Sequence, residues 1–253
     1  MARIRVDELL VARGLAGDRA EAARLILGGA VRAESGIPLK PGLRVADDIR
    51  LVVAARPRYV SRAGEKLESA LRHFGLVVEG KVCADLGAST GGFTDCLLQH
   101  GARKVYAFDV GKGILDWKLR QDPRVVVSEG VNVRYLDPRA LPERVELVTA
   151  DLSFISLRRI LPVIAAFEPA DALVLVKPQF EARREEVPAG GVVRDEEIRQ
   201  RVLDEVSEAA AACGLAERGR YCSPLPGARG NREFFLWLQL THPSQGERTS
   251  LNP

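Results

Sequence analysis

Histidine and cysteine are scarce in this chain of 253 residues, which holds three of the first and four of the second. Cys83, Cys96, Cys213 and Cys222 lack the close pairs of a zinc site, and His73, His100 and His242 show no ligand spacing. No metal centre is expected. The same thiols form no framework of the kind that staples small secreted domains. No apolar run approaches the roughly 20 residues that a membrane-crossing helix needs. The segment Met1-Ala2-Arg3-Ile4-Arg5-Val6-Asp7 lacks the apolar centre of a secretory leader. A cytoplasmic protein with reduced thiols and no membrane partner is the expectation.

What is present is ordinary in amount and uneven in placement. An apolar content of 46% with 28% charged residues describes a globular chain able to bury one large or two unequal cores. Residues 1–62 carry 12 Lys/Arg against 7 Asp/Glu, whereas the remainder carries 25 against 27. A basic front module on a nearly neutral body points to an anionic partner such as nucleic acid.

The densest signal is Asp85-Leu86-Gly87-Ala88-Ser89-Thr90-Gly91-Gly92-Phe93. It follows the apolar run Val82-Cys83-Ala84 and precedes a helix-like stretch, so it reads as a strand, a glycine-rich turn and a helix start. A second strand, Val105-Tyr106-Ala107-Phe108, ends in Asp109. A carboxylate there suits ribose hydroxyls. A dinucleotide site would want glycine where Ser89 stands, and Asp85 would repel a pyrophosphate. The spacing Asp-x-Gly-x-x-x-Gly instead resembles the first motif of S-adenosylmethionine (SAM) methyltransferases, in which the acidic residue lies near the methionyl ammonium. That resemblance implies SAM as cofactor, held by Asp85, Gly87, Ala88, Ser89, Thr90, Gly91, Gly92, Phe93 and Asp109. Asn132, after the third strand in Glu129-Gly130-Val131-Asn132, is a further candidate beside the adenine or ribose, and Asp151 belongs to the same crevice.

Along the chain, 6–11 has helical apolar spacing and stops near Gly14. Asp18 with Glu21 three residues on reads as a capping box for a second helix ending at Gly28-Gly29. Short strands are expected at 30–33 and 49–53. Residues 54–62 hold Pro57 and three arginines and read as a connection. From 63 onward strands at 82–85, 104–108, 124–127, 147–150, 172–176, 216–222 and 234–240 alternate with helices, notably 65–74, 156–167 and 195–213. That alternation predicts an α/β fold, a Rossmann-like, mostly parallel seven-stranded sheet with an antiparallel final hairpin, preceded by a small α+β module. The expected organisation is 1–55 for the module, 56–62 for the linker, 63–241 for the catalytic domain and 242–253 for a tail.

The acceptor atom is the next question. After the fourth strand stands Asp151-Leu152-Ser153-Phe154 rather than the Asn/Asp-Pro-Pro-aromatic run typical of amine methylation, and no Pro-Cys pair occurs for attack on a cytosine carbon. At the strand ends stand Asp151 and Lys177, the latter in Val176-Lys177-Pro178-Gln179-Phe180-Glu181. A lysine beside a buried strand is costly unless paired or functional. Lys66 precedes the first strand of the domain and Glu233 opens the last. The order Lys66, Asp151, Lys177, Glu233 resembles the tetrad of RNA ribose 2′-O-methyltransferases of the FtsJ type. Such a set suits a hydroxyl, a poor nucleophile while protonated: one lysine accepts or steers the proton, and a carboxylate orients it and favours the sulfonium charge. Phe154 and Phe180 have the chemistry to stack on a base, although core packing is the simpler expectation for both, as it is for Trp117.

The front module resembles the alpha-L RNA-binding module of a small-subunit ribosomal protein, through Arg5-Val6-Asp7-x-Leu9-Leu10, Arg13-Gly14-Leu15, Arg19, residues 22–26 and Lys40-Pro41-Gly42. The resemblance implies RNA contacts by Arg5, Arg13, Arg19 and Arg24, and the arginines of the connection, Arg56, Arg58 and Arg62, offer more. Glu34 stands in a loop where phosphate would be repelled. The two parts together are similar to the TlyA family of bacterial rRNA methyltransferases, often labelled hemolysins. This similarity implies 2′-O-methylation of cytidine in ribosomal RNA, with rRNA or ribosomal subunits as partner. The competing expectations are a ribosome-associated RNA binder with an inactive domain and a membrane-active hemolysin. The second finds no amphipathic basic helix in the sequence.

Overall fold

The computed structural model describes residues 3–27, 30–53 and 58–241. The chain divides into two compact units, one up to residue 57 and one from Arg58 onward.

The first unit runs β1 (Arg3–Arg5), α1 (Val6–Ala12), α2 (Arg19–Leu27), β2 (Val31–Ala33), β3 (Arg44–Ala46) and β4 (Leu51–Val53). Its core joins Val6, Leu9 and Leu10 of α1 to Ala22 and Ile26 of α2. This is the stripe that i, i+3, i+4 spacing dictates. Asp18 caps the second helix as expected, accepting from Glu21 N–H at 2.6 Å, while the Glu21 carboxylate accepts from Gly17 N–H at 2.7 Å, one residue ahead of the N–H a full capping box uses. The strands make two antiparallel pairs, β1 with β3 and β2 with β4. Neither β1 nor β3 was expected, because three residues carry too little alternation to register.

The second unit holds α3 (Arg62–Phe74), β5 (Val82–Leu86), α4 (Gly92–Gln99), β6 (Lys104–Asp109), α5 (Trp117–Arg120), β7 (Val125–Glu129), β8 (Leu147–Ala150), α6 (Leu161–Ala166), β9 (Asp171–Val176), α7 (Pro178–Glu181), α8 (Glu196–Ala212), β10 (Leu215–Cys222) and β11 (Phe234–Leu240). The sheet order is β7-β6-β5-β8-β9-β11-β10. Pairing is parallel from β7 to β9, and β11 is antiparallel to both its neighbours. The chain leaves β5 towards β6 and β7, then returns to β8 on the other side. That reversal opens a crevice at the carboxyl ends of β5 and β8.

Alternation along β5 sorts the core. Val82, Ala84 and Leu86 pack on one face with Val148, Ala150 and α8, and Cys83 packs on the other with α3 and α4. Asp85 falls on the Cys83 side. Residues 58–62, read from sequence as part of a connection, lie packed on this unit: Tyr59 is only 2% exposed. Gly64 admits it, since a Cβ there would meet the ring at 2.3 Å. Val60 N–H then donates to Asp95 at 2.8 Å.

Candidate active site

The turn between β5 and α4 is held by backbone. Gly87 and Ala88 N–H groups donate to the Phe108 carbonyl at 2.9 and 3.0 Å. Gly87 has φ +87°, and a Cβ on it would lie 2.6 Å from the Asp151 carbonyl oxygen, so only glycine lets the turn approach the end of β8. Ser89 takes the left-handed region at φ +51°. Its N–H donates to Asp109 at 2.8 Å, and the other Asp109 oxygen accepts from Gly111 N–H at 2.7 Å. Gly91 caps the start of α4.

Two cavities meet at this turn. The larger, about 840 Å³, is lined by Gly87, Ser89, Asp109, Val110, Ile114, Val131, Asn132 and Asp151, and beyond them by Phe154, Arg159 and Phe180. The smaller, about 150 Å³, runs along Ala88, Thr90, Gly92 and Phe93 to Asp151, Ser153 and Lys177. Ser61 and Ala63 also line it; sequence gave neither a site role, Ser61 because it fell in the expected linker and Ala63 because it only opened the expected domain. Phe93 is itself mostly core, its ring 6.0 Å from that of Phe235.

Asp85 corrects the sequence expectation. Its carboxylate is fully buried rather than on the crevice wall. It accepts from the Thr94 hydroxyl at 2.7 Å and the Thr149 hydroxyl at 3.2 Å. Burial pushes its pKa up to about 7, the two hydroxyls oppose that, and the nearby Asp151 charge adds to it. The side chain braces β5 against α4 and β8. The reason is the strand's period of two, which sends it to the α3–α4 face, where the Thr94 and Thr149 hydroxyls take it.

The four residues of the expected tetrad form two ion pairs. Lys177 Nζ lies 2.5 Å from Asp151 Oδ1 and donates to Ser153 Oγ at 3.1 Å. Its ammonium is also 5.9 Å from the centre of the Phe180 ring. Lys66 Nζ donates to Glu233 Oε2 at 2.6 Å, with both residues buried. Asp151 and Lys177 follow β8 and β9 directly, so parallel pairing brings them together. Glu233 precedes β11, whose antiparallel course brings it to the same end of the sheet. Lys66 lies one turn along α3 from Ala63.

The loop after β8 was read least well. Phe154, expected to pack, is 92% exposed at φ +63°. Its ring is 5.2 Å from that of Phe180. Glu181, to which sequence gave no role, is buried beneath this loop. Trp117, also expected to pack, is 72% exposed. Glu129 proves structural: the Arg120 guanidinium and N–H groups of residues 113–115 hold its pKa down at about 2. Burial pushes the thiols of Cys83 and Cys96 up to about 12, so neither is a thiolate nucleophile at neutral pH.

The candidate RNA arginines differ in how far they are committed. Arg5 pairs with Asp7 at 2.7 Å and with Glu8. Arg13 donates to the carbonyls of Ile49 and Asp47 at 2.7 and 2.6 Å. Arg19 lies 3.5 Å from Glu8 and stays half exposed. Arg58 pairs with Glu68. Arg62 is exposed at the first residue of α3. The side chain of Arg24 and the whole of Arg56 lie outside the described residues, as does the expected tail at 242–253.

Comparison with known proteins matches this geometry. Residues 59–240 match the FtsJ-like methyltransferase family. The 16S/23S rRNA (cytidine-2′-O)-methyltransferase TlyA of Mycobacterium tuberculosis is 49% identical over 94% of this chain and 90% of its own length. Hemolysin A of Brachyspira hyodysenteriae is 42% identical over 91% of this chain and 98% of its own. The solved structure of a candidate hemolysin from Streptococcus thermophilus superposes with a TM-score of 0.72 at 43% identity, covering 95% of this chain and 90% of that one. A SAM-dependent methyltransferase from Mesorhizobium loti shares the fold at 15% identity and a TM-score of 0.51, over 70% of this chain and 99% of that one. Among the described residues no helix is long and apolar enough to cross a membrane. The chain belongs to the FtsJ-like methyltransferases and, within them, to the TlyA family.

Proposed function

We propose that this protein transfers a methyl group from SAM to the ribose 2′-hydroxyl of a cytidine in ribosomal RNA. One observation carries the reading: the Asp151–Lys177 pair stands at the ends of adjacent parallel strands, in the cavity that the glycine turn also lines. The chain's residues fit SAM. Gly87, without a Cβ, lets the turn lie against the end of β8 at the cavity wall, Asp109 ends the second strand as a ribose partner, and Val110, Ile114 and Val131 give an apolar slot suited to adenine. The cofactor, when bound, supplies an electrophilic methyl on a sulfonium.

The remaining work falls to the protein. An ammonium has three donors, and Lys177 commits its donors to Asp151 and Ser153, leaving one for the ribose oxygen. In this reading the ammonium steers the ribose oxygen through that third donor, or the neutral amine, with a lone pair in the donor's place, accepts the hydroxyl proton; Asp151 fixes the lysine while favouring positive charge nearby. Lys66 and Glu233, as a buried pair, hold α3 against the start of β11 and position the ribose. Alignment of oxygen, methyl and sulfur in line then supplies much of the rate. Phe154, exposed at the cavity mouth beside Phe180, offers a face for the acceptor base. The front module adds arginine contacts to phosphate.

The test is transfer of labelled methyl from SAM to purified ribosomal subunits and to bare rRNA, by wild type and Lys177→Ala, with digestion to locate the label. Label on a ribose oxygen, lost in the variant, is the expected result. Label on a base, or equal transfer by the variant, defeats the assignment.

A further inference from the structure

The strongest feature that this mechanism leaves unused is Glu181, a buried carboxylate whose side-chain hydrogen bonds run to the loop on the acceptor side. It ends α7, the single turn that begins immediately after Lys177. It is 4% exposed. Oε2 accepts from the Ser156 hydroxyl at 2.6 Å and Oε1 from Leu157 N–H at 2.6 Å. Arg158 Nε lies 3.6 Å from the same carboxylate, and its Nη2 donates to the Glu181 carbonyl at 2.9 Å. At the other end of the loop, Lys177 donates to Ser153.

The loop is therefore tied twice to one five-residue segment, by Lys177 at its start and by Glu181 at its end. Between the ties stands Phe154, in a left-handed conformation that costs roughly 1–2 kcal/mol for an ordinary side chain. Such a residue persists only where its surroundings over-determine it. Exposed as it is, Phe154 draws little packing to hold it there; among the described residues its ring meets one other aromatic ring, that of Phe180. Glu181 supplies the constraint.

We infer that Glu181 is a positioning residue for methyl transfer: its carboxylate ties residues 153–157 to the turn that carries Lys177, and so fixes where Ser153 and Phe154 stand at the crevice. It touches neither cofactor nor acceptor. Its effect passes through the loop, because its hydrogen bonds reach Ser156 and Leu157 and none reaches the glycine turn or Asp109. Glutamine keeps an acceptor for Leu157 N–H and gains a donor for the Ser156 oxygen, so it preserves the tie without the charge.

The activity part of the test rests on the methyl-transfer reading; the structural part does not. Wild type, Glu181→Ala, Glu181→Gln and Ser156→Ala are compared in steady-state transfer to rRNA, in SAM affinity by calorimetry, and in amide hydrogen exchange of the free protein. For Glu181→Ala we expect kcat/KM for RNA to fall roughly tenfold to a hundredfold, with SAM affinity within about twofold of wild type. Glu181→Gln restores turnover to within about threefold, since only one hydrogen bond is altered in character, and Ser156→Ala falls between. Exchange speeds up in residues 153–158 of Glu181→Ala and not in 87–99. Transfer by Glu181→Ala equal to wild type overturns the inference. So does a loss of SAM affinity in proportion to turnover, which marks general unfolding. If Glu181→Ala does not fold, Ser156→Ala and Glu181→Gln decide by the same readouts. If wild type itself transfers nothing to rRNA, the functional reading fails, and unchanged exchange in 153–158 would separately sink the tether.

Discussion

The two rims of the crevice are held by different means. On the cofactor rim the main chain does the holding: Gly87 and Ala88 bond to the Phe108 carbonyl, and Ser89 hands its N–H to Asp109. On the acceptor rim side chains do it, Lys177 through Ser153 and Glu181 through Ser156 and Leu157. Each rim rests on one buried carboxylate, Asp85 below the first and Glu181 below the second, and burial raises the pKa of both. A rim made of backbone bonds tolerates changes of side chain but not an added Cβ. One tied by side chains should respond in the opposite way.

The largest expected break in that contrast is Lys177→Ala. It removes the group proposed to meet the reacting oxygen and one tie of the acceptor rim, and turnover should drop about 10²–10⁴-fold. SAM affinity, measured by calorimetry, should stay within about twofold of wild type if the cofactor rim is independent. Gly87→Ala probes the other rim. A Cβ 2.6 Å from the Asp151 carbonyl, at φ +87°, forces the turn to move. SAM affinity should fall at least tenfold, and unfolding by urea should show a loss of about 1–3 kcal/mol.

Phe154→Gly separates stability from activity. Glycine accepts the left-handed backbone, so stability should hold or rise by up to about 1 kcal/mol. Removing an exposed base-sized ring should still cost about tenfold or more in kcat/KM for RNA, given that a stacked base is worth about 1–3 kcal/mol. Equal activity would show that the ring faces solvent during turnover.

The smallest effect is a slope. Asp85 binds its proton more tightly folded, at about 7, than a free carboxylate does. Its contribution to stability is therefore fully present below about pH 4, the unfolded value, and is lost as pH rises towards 7. Melting temperatures from pH 4.5 to 8.5 should show wild type losing ground to Asp85→Asn across that window and running parallel above it.

Much of this was legible in the chain because chemistry-bearing residues sit at strand ends, where order along the sequence becomes position along the crevice. Asp109, Asp151 and Lys177 each follow an apolar run, so their placement needed only the strands and the parallel pairing. The burial of Asp85 was not legible: it depends on the hydroxyls of Thr94 and Thr149, 9 and 64 positions away, which take its carboxylate on the face shared with Cys83. Phe154 could not be read. Its loop is tied at Ser156 and Leu157 to Glu181, 25 and 24 positions further along the chain, and nothing in Asp-Leu-Ser-Phe-Ile-Ser carries that information. The packing of Tyr59 depends likewise on the absence of a side chain at Gly64. β1 and β3 escaped because three-residue strands are defined by their partners rather than by any period of their own.

The buried bond from Lys66 to Glu233 spans 167 positions of sequence. Until the last strand is added, α3 carries a lysine that can be buried only at the cost of an unpaired charge. A growing chain therefore cannot fasten α3 through this pair before synthesis has reached Glu233. For a protein assigned to ribosomal RNA, this delay matters at its own birthplace: the machine that builds the chain is made of its proposed substrate, and the pair remains unmade for most of the time that the chain is held there.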